Sequence, residues 1–380
     1  MTLLPLGLAL IAGCGSSSPA ATSTRDAAKL ADRRLDGALR AFVARTDGPP
    51  AIAVVVQRGA KAPVFHSFGT AIVGSKQPVR LGDHVRVASV AKAFSGATAL
   101  ATVKSGRLEL SSTVGAVLPT LPSAWHAVTL TQLLQHTSGI PDFSKSLAFR
   151  DALVASLQTP PTPVALLAYA GDALSFPPGS KYEYSNSDNV VAALMVEAAT
   201  GQSYATALAD SVTRPFGLTE TTLPSDSAIP TPTVHGYDLA PPKPPEDVTN
   251  LYAAGWTFAS GGVVSTPADA NRFVRAYARG DETDPAAHRA QFRFVDGHSE
   301  PPGPGANTAG LAIFRYRTRC GVVYGHTGNT PGYTQFIAAS SDGKASTSVS
   351  INAQITPTTN AAGFRALRHI FELAVCASAA

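Results

Sequence analysis

Arg86-Val87-Ala88-Ser89-Val90-Ala91-Lys92 leads from a strand-like stretch into an Ala-rich segment that reads as a helix through about Lys104. Within it, Ser89 and Lys92 form the pattern S-x-x-K. A serine hydroxyl is a weak nucleophile until a neighbouring base takes its proton. If Ser89 opens the helix, residues 89 and 92 share a face one turn apart, and the lysine amine comes within reach of the hydroxyl. The helix N-terminus favours negative charge developing there. Burial would lower the lysine pKa and make the amine a usable base. The same pattern recurs at Ser341–Lys344. That copy contains the Asp-Gly of a hairpin turn, where solvent reaches it, and it is set aside.

On the N-terminal side, Ser23 to Arg45 has helical periodicity, with Leu35, Leu39, Phe42 and Val43 on one apolar face, and Pro49-Pro50 stops it. Ala51 to Gln57 and Val64 to Val73 read as strands joined by a turn. On the C-terminal side, residues up to about 300 read as helices and long loops. Leu130 to Leu134 begins a short helix, and Asp188 to Thr200 is an amphipathic one capped by Gly201. Residues 225 to 247 are Pro-rich and read as a surface loop, and 301 to 306 (PPGPGA) as a linker. Four short β-rich runs follow, Leu311–Arg317, Gly321–His326, Gly332–Ser340 and Ala345–Asn352, before an apolar helix over Phe364–Cys376. Strands at both chain ends with helices between them predict an α+β fold. One antiparallel sheet forms from both termini, flanked by the terminal helices, and an inserted, mostly helical domain interrupts it. The expected boundaries are 25–92 and 305–378 for the sheet domain and 93–304 for the insertion. A cleft between two such units is a common place for a site.

The composition, 44% hydrophobic and 15% charged over 380 residues, is that of a globular chain able to bury a sizeable core. A net charge of +4 comes from scattered Lys and Arg, so no nucleic-acid partner is expected. Leu3 to Ala12 is apolar but too short to span a bilayer, and Ile11-Ala12-Gly13-Cys14 is followed by a Ser-rich run. This resembles the lipobox of a bacterial lipoprotein, with Cys14 as the lipidated residue and residues 1–24 as signal and linker. An ordinary cleaved signal peptide is the alternative, and no Lys or Arg precedes the apolar run. The expectation is an exported protein, lipid-anchored on the outer face of the bacterial membrane or secreted, that meets the membrane only through that anchor. In an exported chain Cys320 and Cys376 are a candidate disulfide pair, two free thiols being the alternative.

Two further stretches carry polar chemistry. Tyr184-Ser185-Asn186 follows a Pro-Gly turn, so a phenol and an amide two residues apart can point the same way. The phenol can shuttle protons, and the amide can hold a substrate carbonyl or the lysine. A buried Tyr and a capping Asn are the bland alternative. Tyr324-Gly325-His326-Thr327-Gly328 precedes Asn329. On a strand edge the glycine would let a substrate backbone approach closely. The Asn329 amide could then pair with the Ser89 amide as an oxyanion hole. Ser187-Asp188-Asn189 spells another catalytic motif, but here it opens a helix and reads as ordinary capping chemistry.

Taken together, S-x-x-K, Y-x-N and H-T-G in this order resemble the serine β-lactamase and DD-peptidase superfamily, in its class C-like branch. Leu130–Phe143 with its H-T-S-G and Gly261–Asp269 agree with that resemblance, which covers roughly residues 27 to 376. His326 in place of a lysine, and Cys320-Gly321 with Cys376, look like the secreted D-alanyl-D-alanine carboxypeptidase subgroup, which implies a Cys320–Cys376 disulfide. That subgroup binds the substrate's terminal carboxylate through an Arg ahead of this cysteine. Phe314 takes that place here; Arg315 beside it is the candidate to contact substrate, although adjacent strand residues face opposite sides. The resemblance implies an acyl-enzyme mechanism. Ser89 is the nucleophile, Lys92 and Tyr184 the general-base pair, and Asn186 their orienter. Amides of Ser89 and Asn329 form the oxyanion hole, His326 and Thr327 bind substrate and relay protons to the leaving group, and Gly328 lies along the substrate beside them. It implies no metal or organic cofactor.

The implied substrate is a small peptide, an ester or a β-lactam, with peptidoglycan peptides ending in D-Ala-D-Ala foremost. Esterase and β-lactamase activities on the same residues are rivals, and a non-catalytic penicillin-binding or sensor lipoprotein is a rival of another class. No H-x-x-x-H or paired His/Asp cluster in the sequence suggests a metallohydrolase, and His136 reads as a structural side chain of the H-T-S-G segment.

Overall fold

The computed structural model describes residues 24–380. The lipobox reading and Cys14 lie outside the described residues. The main sheet has eight antiparallel strands: β1 (Ala51–Arg58), β2 (Val64–Gly69), β3 (Val295–Asp296), β4 (Ala306–Ala309), β5 (Phe314–Thr318), β6 (Gly321–Thr330), β7 (Tyr333–Ala339) and β8 (Ala345–Ile351). Their order is β2-β1-β8-β7-β6-β5-β4-β3. The two chain ends therefore meet inside one sheet. β1 pairs with β8 in a register that sets Ile52 opposite Ile351 and Val54 opposite Val349.

β1 is buried along almost its whole length because helices cover both faces of the sheet. The terminal helices α1 (Thr24–Val43) and α5 (Ala361–Ala379) lie on one face. Their Leu35, Leu39, Phe42, Leu367 and Phe371 close a core with Ile52, Val54, Phe336 and Val349. Each such side chain contributes about 1.5–3 kcal/mol on burial. β8 alternates in character because its faces differ. Val349 and Ile351 join that core, while Ser346 and Ser348 turn to the opposite side and donate to Asn271 Oδ1 and the Pro267 carbonyl.

Beyond that opposite face lies a second core built around α2 (Ala91–Lys104), α3 (Asn186–Thr200) and α4 (Pro267–Arg279). Phe94 of α2 stacks on Phe273 of α4 with ring centroids 3.7 Å apart. Two elements from within 93–304 thus belong with the sheet: α4 packs directly on β7, β8 and β1, and β3 forms its edge.

Several local expectations need correction. Residues 301–306 are no linker. Pro301, Gly303 and Pro304 are buried, Pro301 accepts a hydrogen bond from Thr327, and the Glu300–Pro301 bond is cis. The Pro-rich 225–247 stretch is pinned in part. Tyr237 is buried, donates its amide to Asn352 and joins a two-residue ladder with Glu246–Asp247. Ser187-Asp188-Asn189 does not cap a helix. α3 already starts at Asn186, and these three side chains bond inward, to Pro141, to Ser138 and His136, and to Ser95. The strand expected from Leu311 begins only at Phe314. Before it, Ala312 has a left-handed φ of 51° and donates its amide to Leu134 of the helical block.

Candidate active site

Ser89 sits on a single 3₁₀ turn, Ala88–Val90, that feeds α2. Ala88 is held at a φ of 51°, a left-handed conformation that costs a non-glycine residue about 1–3 kcal/mol. Both sides of the turn are fixed. Val87 donates to Val263, and the end of β6 presses against the turn from the sheet. Gly328 makes that contact possible. A Cβ there would overlap the Val87 carbonyl and come within 3.0 Å of the Ser89 and Val90 amides.

Lys92 follows one turn later and is fully buried. Its Nζ lies 3.1 Å from Ser89 Oγ, 2.7 Å from Asn186 Oδ1 and 2.8 Å from the Ser260 carbonyl. Burial pulls its pKa down to about 7, against the opposing pull of Asp142, Glu300 and Asp188. As a neutral amine it has two N–H donors for Asn186 and Ser260 and one lone pair left for the Ser89 proton. Asn186 is oriented in turn, since its Nδ2 donates to Asp142 Oδ2 at 3.0 Å and to Ser144 Oγ at 3.0 Å.

Tyr184 lies with its ring centroid 4.9 Å from Lys92 Nζ. Burial pushes its phenol well above the ordinary tyrosine range, although the nearby Ser89 hydroxyl favours the phenolate. No well-formed hydrogen bond joins the two hydroxyls, and the buried Tyr184 Oη has no partner. The resting phenol is therefore neutral.

His326, on β6, is fully buried beside Phe314. Its Nδ1 donates to the Thr327 carbonyl at 2.5 Å, and burial lowers its pKa to about 3. The imidazole is neutral, and its Nε2, which has no partner, is an acceptor.

A cleft of about 230 Å³ opens over Ser89. Ser89, Ser144, Asn186 and Asn329 are among its polar residues; Phe143, Phe149, Leu153, Leu157, Leu251 and Trp256 form an apolar wall. The side chain of Asn329 turns away to the Ile355 carbonyl, which leaves its backbone on the cleft side. The structure thus brings Ser89, Lys92, Tyr184 and Asn186 together, with Gly328 packed against the nucleophile turn and Asn329 on the cleft.

Two expected substrate contacts are engaged elsewhere. Thr327 is buried with its hydroxyl on the Pro301 carbonyl. Arg315 donates to Thr308 and lies over the Phe294 ring, 4.5 Å from its centroid, and does not line the cleft. Cys320 and Cys376 are joined by a disulfide that ties the start of β6 to α5. Sequence reading missed Asp142 and the Ser260 carbonyl. Asp142 follows the Pro141 that ends the H-T-S-G stretch, a signal too local to announce its role, and a backbone carbonyl leaves no trace in side-chain identity.

A buried lysine held against a serine at the mouth of a cleft, with a phenol and an amide on its other side, is a constellation suited to acyl transfer, set on a DD-peptidase-like fold. Residues 35–370 match the Beta-lactamase family model, and the chain belongs to that family. It is 26% identical over 294 residues to penicillin-binding protein 4* of Bacillus subtilis, covering 74% of this chain and 63% of that protein. It is 27% identical over 194 residues to protein flp of Staphylococcus aureus, of which it spans 38%. Among solved structures, the D-stereospecific amidohydrolase from Streptomyces sp. superposes with a TM-score of 0.74 at 27% identity over 85% of this chain and 94% of that one. The D-amino acid amidase of Ochrobactrum anthropi shares the fold, with a TM-score of 0.78 at 22% identity over 90% and 98%.

Proposed function

We propose that this protein hydrolyses amides or esters of small D-amino acids with bulky apolar side chains, through an acyl-enzyme on Ser89. The observation that carries the chemistry is the Lys92 amine, fully buried, near neutrality and 3.1 Å from Ser89 Oγ. Ser89 attacks the carbonyl carbon and its proton passes to neutral Lys92, the better base because the Tyr184 phenol is held protonated. The Ser89 and Asn329 amides stabilise the oxyanion. The leaving nitrogen or oxygen takes the Tyr184 proton, and Lys92 returns one to the phenol. Water then attacks the ester by the same route and releases the acid.

Two features support the substrate class. The cleft wall is aromatic and aliphatic, with no arginine or lysine among its lining residues to bind a terminal carboxylate. The chain is also similar to an enzyme described as a D-stereospecific amidohydrolase. A D-Ala-D-Ala carboxypeptidase acting on peptidoglycan peptides is the second reading. It is favoured by the similarity to a penicillin-binding protein and by the disulfide next to β6. Export, with a lipid on Cys14, is proposed alongside either reading, since disulfides persist in oxidising compartments.

The test compares D-phenylalanine amide, a D-Ala-D-Ala peptide and benzylpenicillin, with intact mass after each and Ser89→Ala as control. Release of ammonia from the D-amide, lost in the control, is the expected result. Turnover of the peptide with no action on the amide would favour the carboxypeptidase. A wild-type chain that forms no adduct and turns over none of the three would refute acyl transfer at Ser89.

A further inference from the structure

Strands β6 and β7 meet in a tight turn, Thr330-Pro331-Gly332-Tyr333, that begins one residue after Asn329. The segment 227–252 closes over this turn. Tyr333 Oη donates to the Val234 carbonyl at 2.8 Å, and Gly332, at a left-handed φ of 82°, packs so closely that a Cβ there would come within 3.0 Å of the Gly236 backbone. Val234, Gly236 and Tyr333 do not line the cleft. One further contact lies on it. Tyr252 and Thr330 are both buried in the cleft wall, with their hydroxyls hydrogen-bonded to each other. No step of the acyl transfer draws on this pair.

Tyr252 is itself a fixed point. Arg86, buried three residues before Ser89, donates to the carbonyls of Ser227 at 2.6 Å, Thr249 at 3.3 Å and Tyr252 at 3.4 Å. Its guanidinium carbon also lies over the Tyr252 ring, 5.3 Å from the centroid. The rigid fork of one arginine therefore ties the backbone and ring of Tyr252 to the short strand that feeds the nucleophile turn. Across the cleft wall, Asn329 is bracketed. Its Nδ2 donates to the Ile355 carbonyl at 3.2 Å, and the next residue, Thr330, is held by Tyr252. We propose that the Tyr252 hydroxyl is a positioning group for the oxyanion hole, holding Thr330 so that the Asn329 backbone amide stays aimed at the carbonyl bound over Ser89.

The proposal rests on the acyl-transfer reading, in which the Asn329 amide is an oxyanion donor. Such a donor stabilises developing charge best when its direction is fixed before the reaction. Without the Tyr252 hydroxyl, the far side of the turn would still be held by Tyr333 on Val234. The amide would therefore be loosened rather than lost. Removing an oxyanion donor outright costs about 10²–10³ in kcat, so loosening one should cost less, about tenfold. Substrate binding should change little, because the Tyr252 ring and the rest of the apolar wall stay in place.

Tyr252→Phe keeps the ring under Arg86 and removes only the hydroxyl. On D-phenylalanine amide its kcat should fall about tenfold, with KM within about twofold. Thr330→Val breaks the same contact, so it should lose a similar factor and the double variant should lose no more than either alone. Thr330→Ser, which keeps a hydroxyl, should recover most of what Thr330→Val loses. Unchanged kcat in both single variants, a loss carried by KM, or losses that multiply to about a hundredfold in the double variant would each overturn the proposal. A second readout needs no turnover. Backbone hydrogen exchange across residues 326–333, followed by mass spectrometry, should quicken in Tyr252→Phe or, should that variant not fold, in Thr330→Val. Exchange there at the rate of the unaltered protein would overturn the proposal even in a chain that hydrolyses none of the substrates above, whereas faster exchange without turnover would sink only the acyl-transfer reading.

Discussion

Gly328→Ala tests the contact on which the whole site depends. β6 approaches the nucleophile turn so closely that an added Cβ would sit 3.0 Å from two backbone amides, Ser89 and Val90, and would overlap the Val87 carbonyl. Ordinary contacts of a Cβ begin near 3.4 Å, and neither partner is a flexible side-chain tip. The strand and the turn must therefore separate by a few tenths of an ångström to about 1 Å. Overpacking of this kind costs about 1–3 kcal/mol of stability. A displacement near 1 Å at the reacting atoms costs on the order of 10²-fold in rate. The variant should therefore unfold several degrees lower and lose about 100-fold in kcat/KM, with most of the loss in kcat because Lys92 and the apolar wall are untouched. Thermal unfolding and steady-state kinetics on the substrate the enzyme turns over best read both quantities. Wild-type kcat with an unchanged Tm would refute the claim that backbone contact at 328 positions Ser89.

Other expectations follow from the same geometry. Activity should rise as pH rises through about 7, because Lys92 acts as base only when neutral. Asp142→Asn keeps an oxygen for Asn186 but removes a carboxylate that raises the Lys92 pKa, so the acidic limb should move to lower pH; an unmoved limb would detach that limb from Lys92. Leu153→Ala and Leu251→Ala shorten the cleft wall, and kcat/KM should drop about tenfold for a D-phenylalanine substrate but little for its D-alanine counterpart. Equal losses on both would remove the apolar wall as a specificity element. Replacing Cys320 and Cys376 by Ser opens a link between positions 56 apart, worth about 4 kcal/mol by chain entropy. The Tm should fall while kcat/KM at 25 °C stays within twofold; an unchanged Tm would mean the bond does not form in the native protein.

Much of this molecule was legible in the chain. Helix-period leucines in α1, strand runs at both ends and the Asp-Gly turn at 342–343 predicted a sheet closed by both termini, because periodicity reports burial on one side. S-x-x-K was legible for a similar reason: spacing on one helical turn fixes direction without help from the rest of the fold. The errors lie where tertiary contact overrides local signal. PPGPGA has the composition of a linker, yet Pro301, Gly303 and Pro304 are buried and the Pro301 carbonyl accepts from Thr327. Asp188 has the look of a cap, yet it faces His136, 52 residues earlier, across a buried gap. Arg315 stands next to the position that would bind a carboxylate, yet the pleat of β5 sends it to Thr308 and Phe294. Residue order alone names the side chains that carry chemistry and the elements that hold them. Their protonation and reach come from the folded arrangement. Desolvation of Lys92, Tyr184 and His326 depends on what the distant segments 136–144, 254–261 and 299–301 place around them, and no local pattern encodes burial by a remote part of the chain.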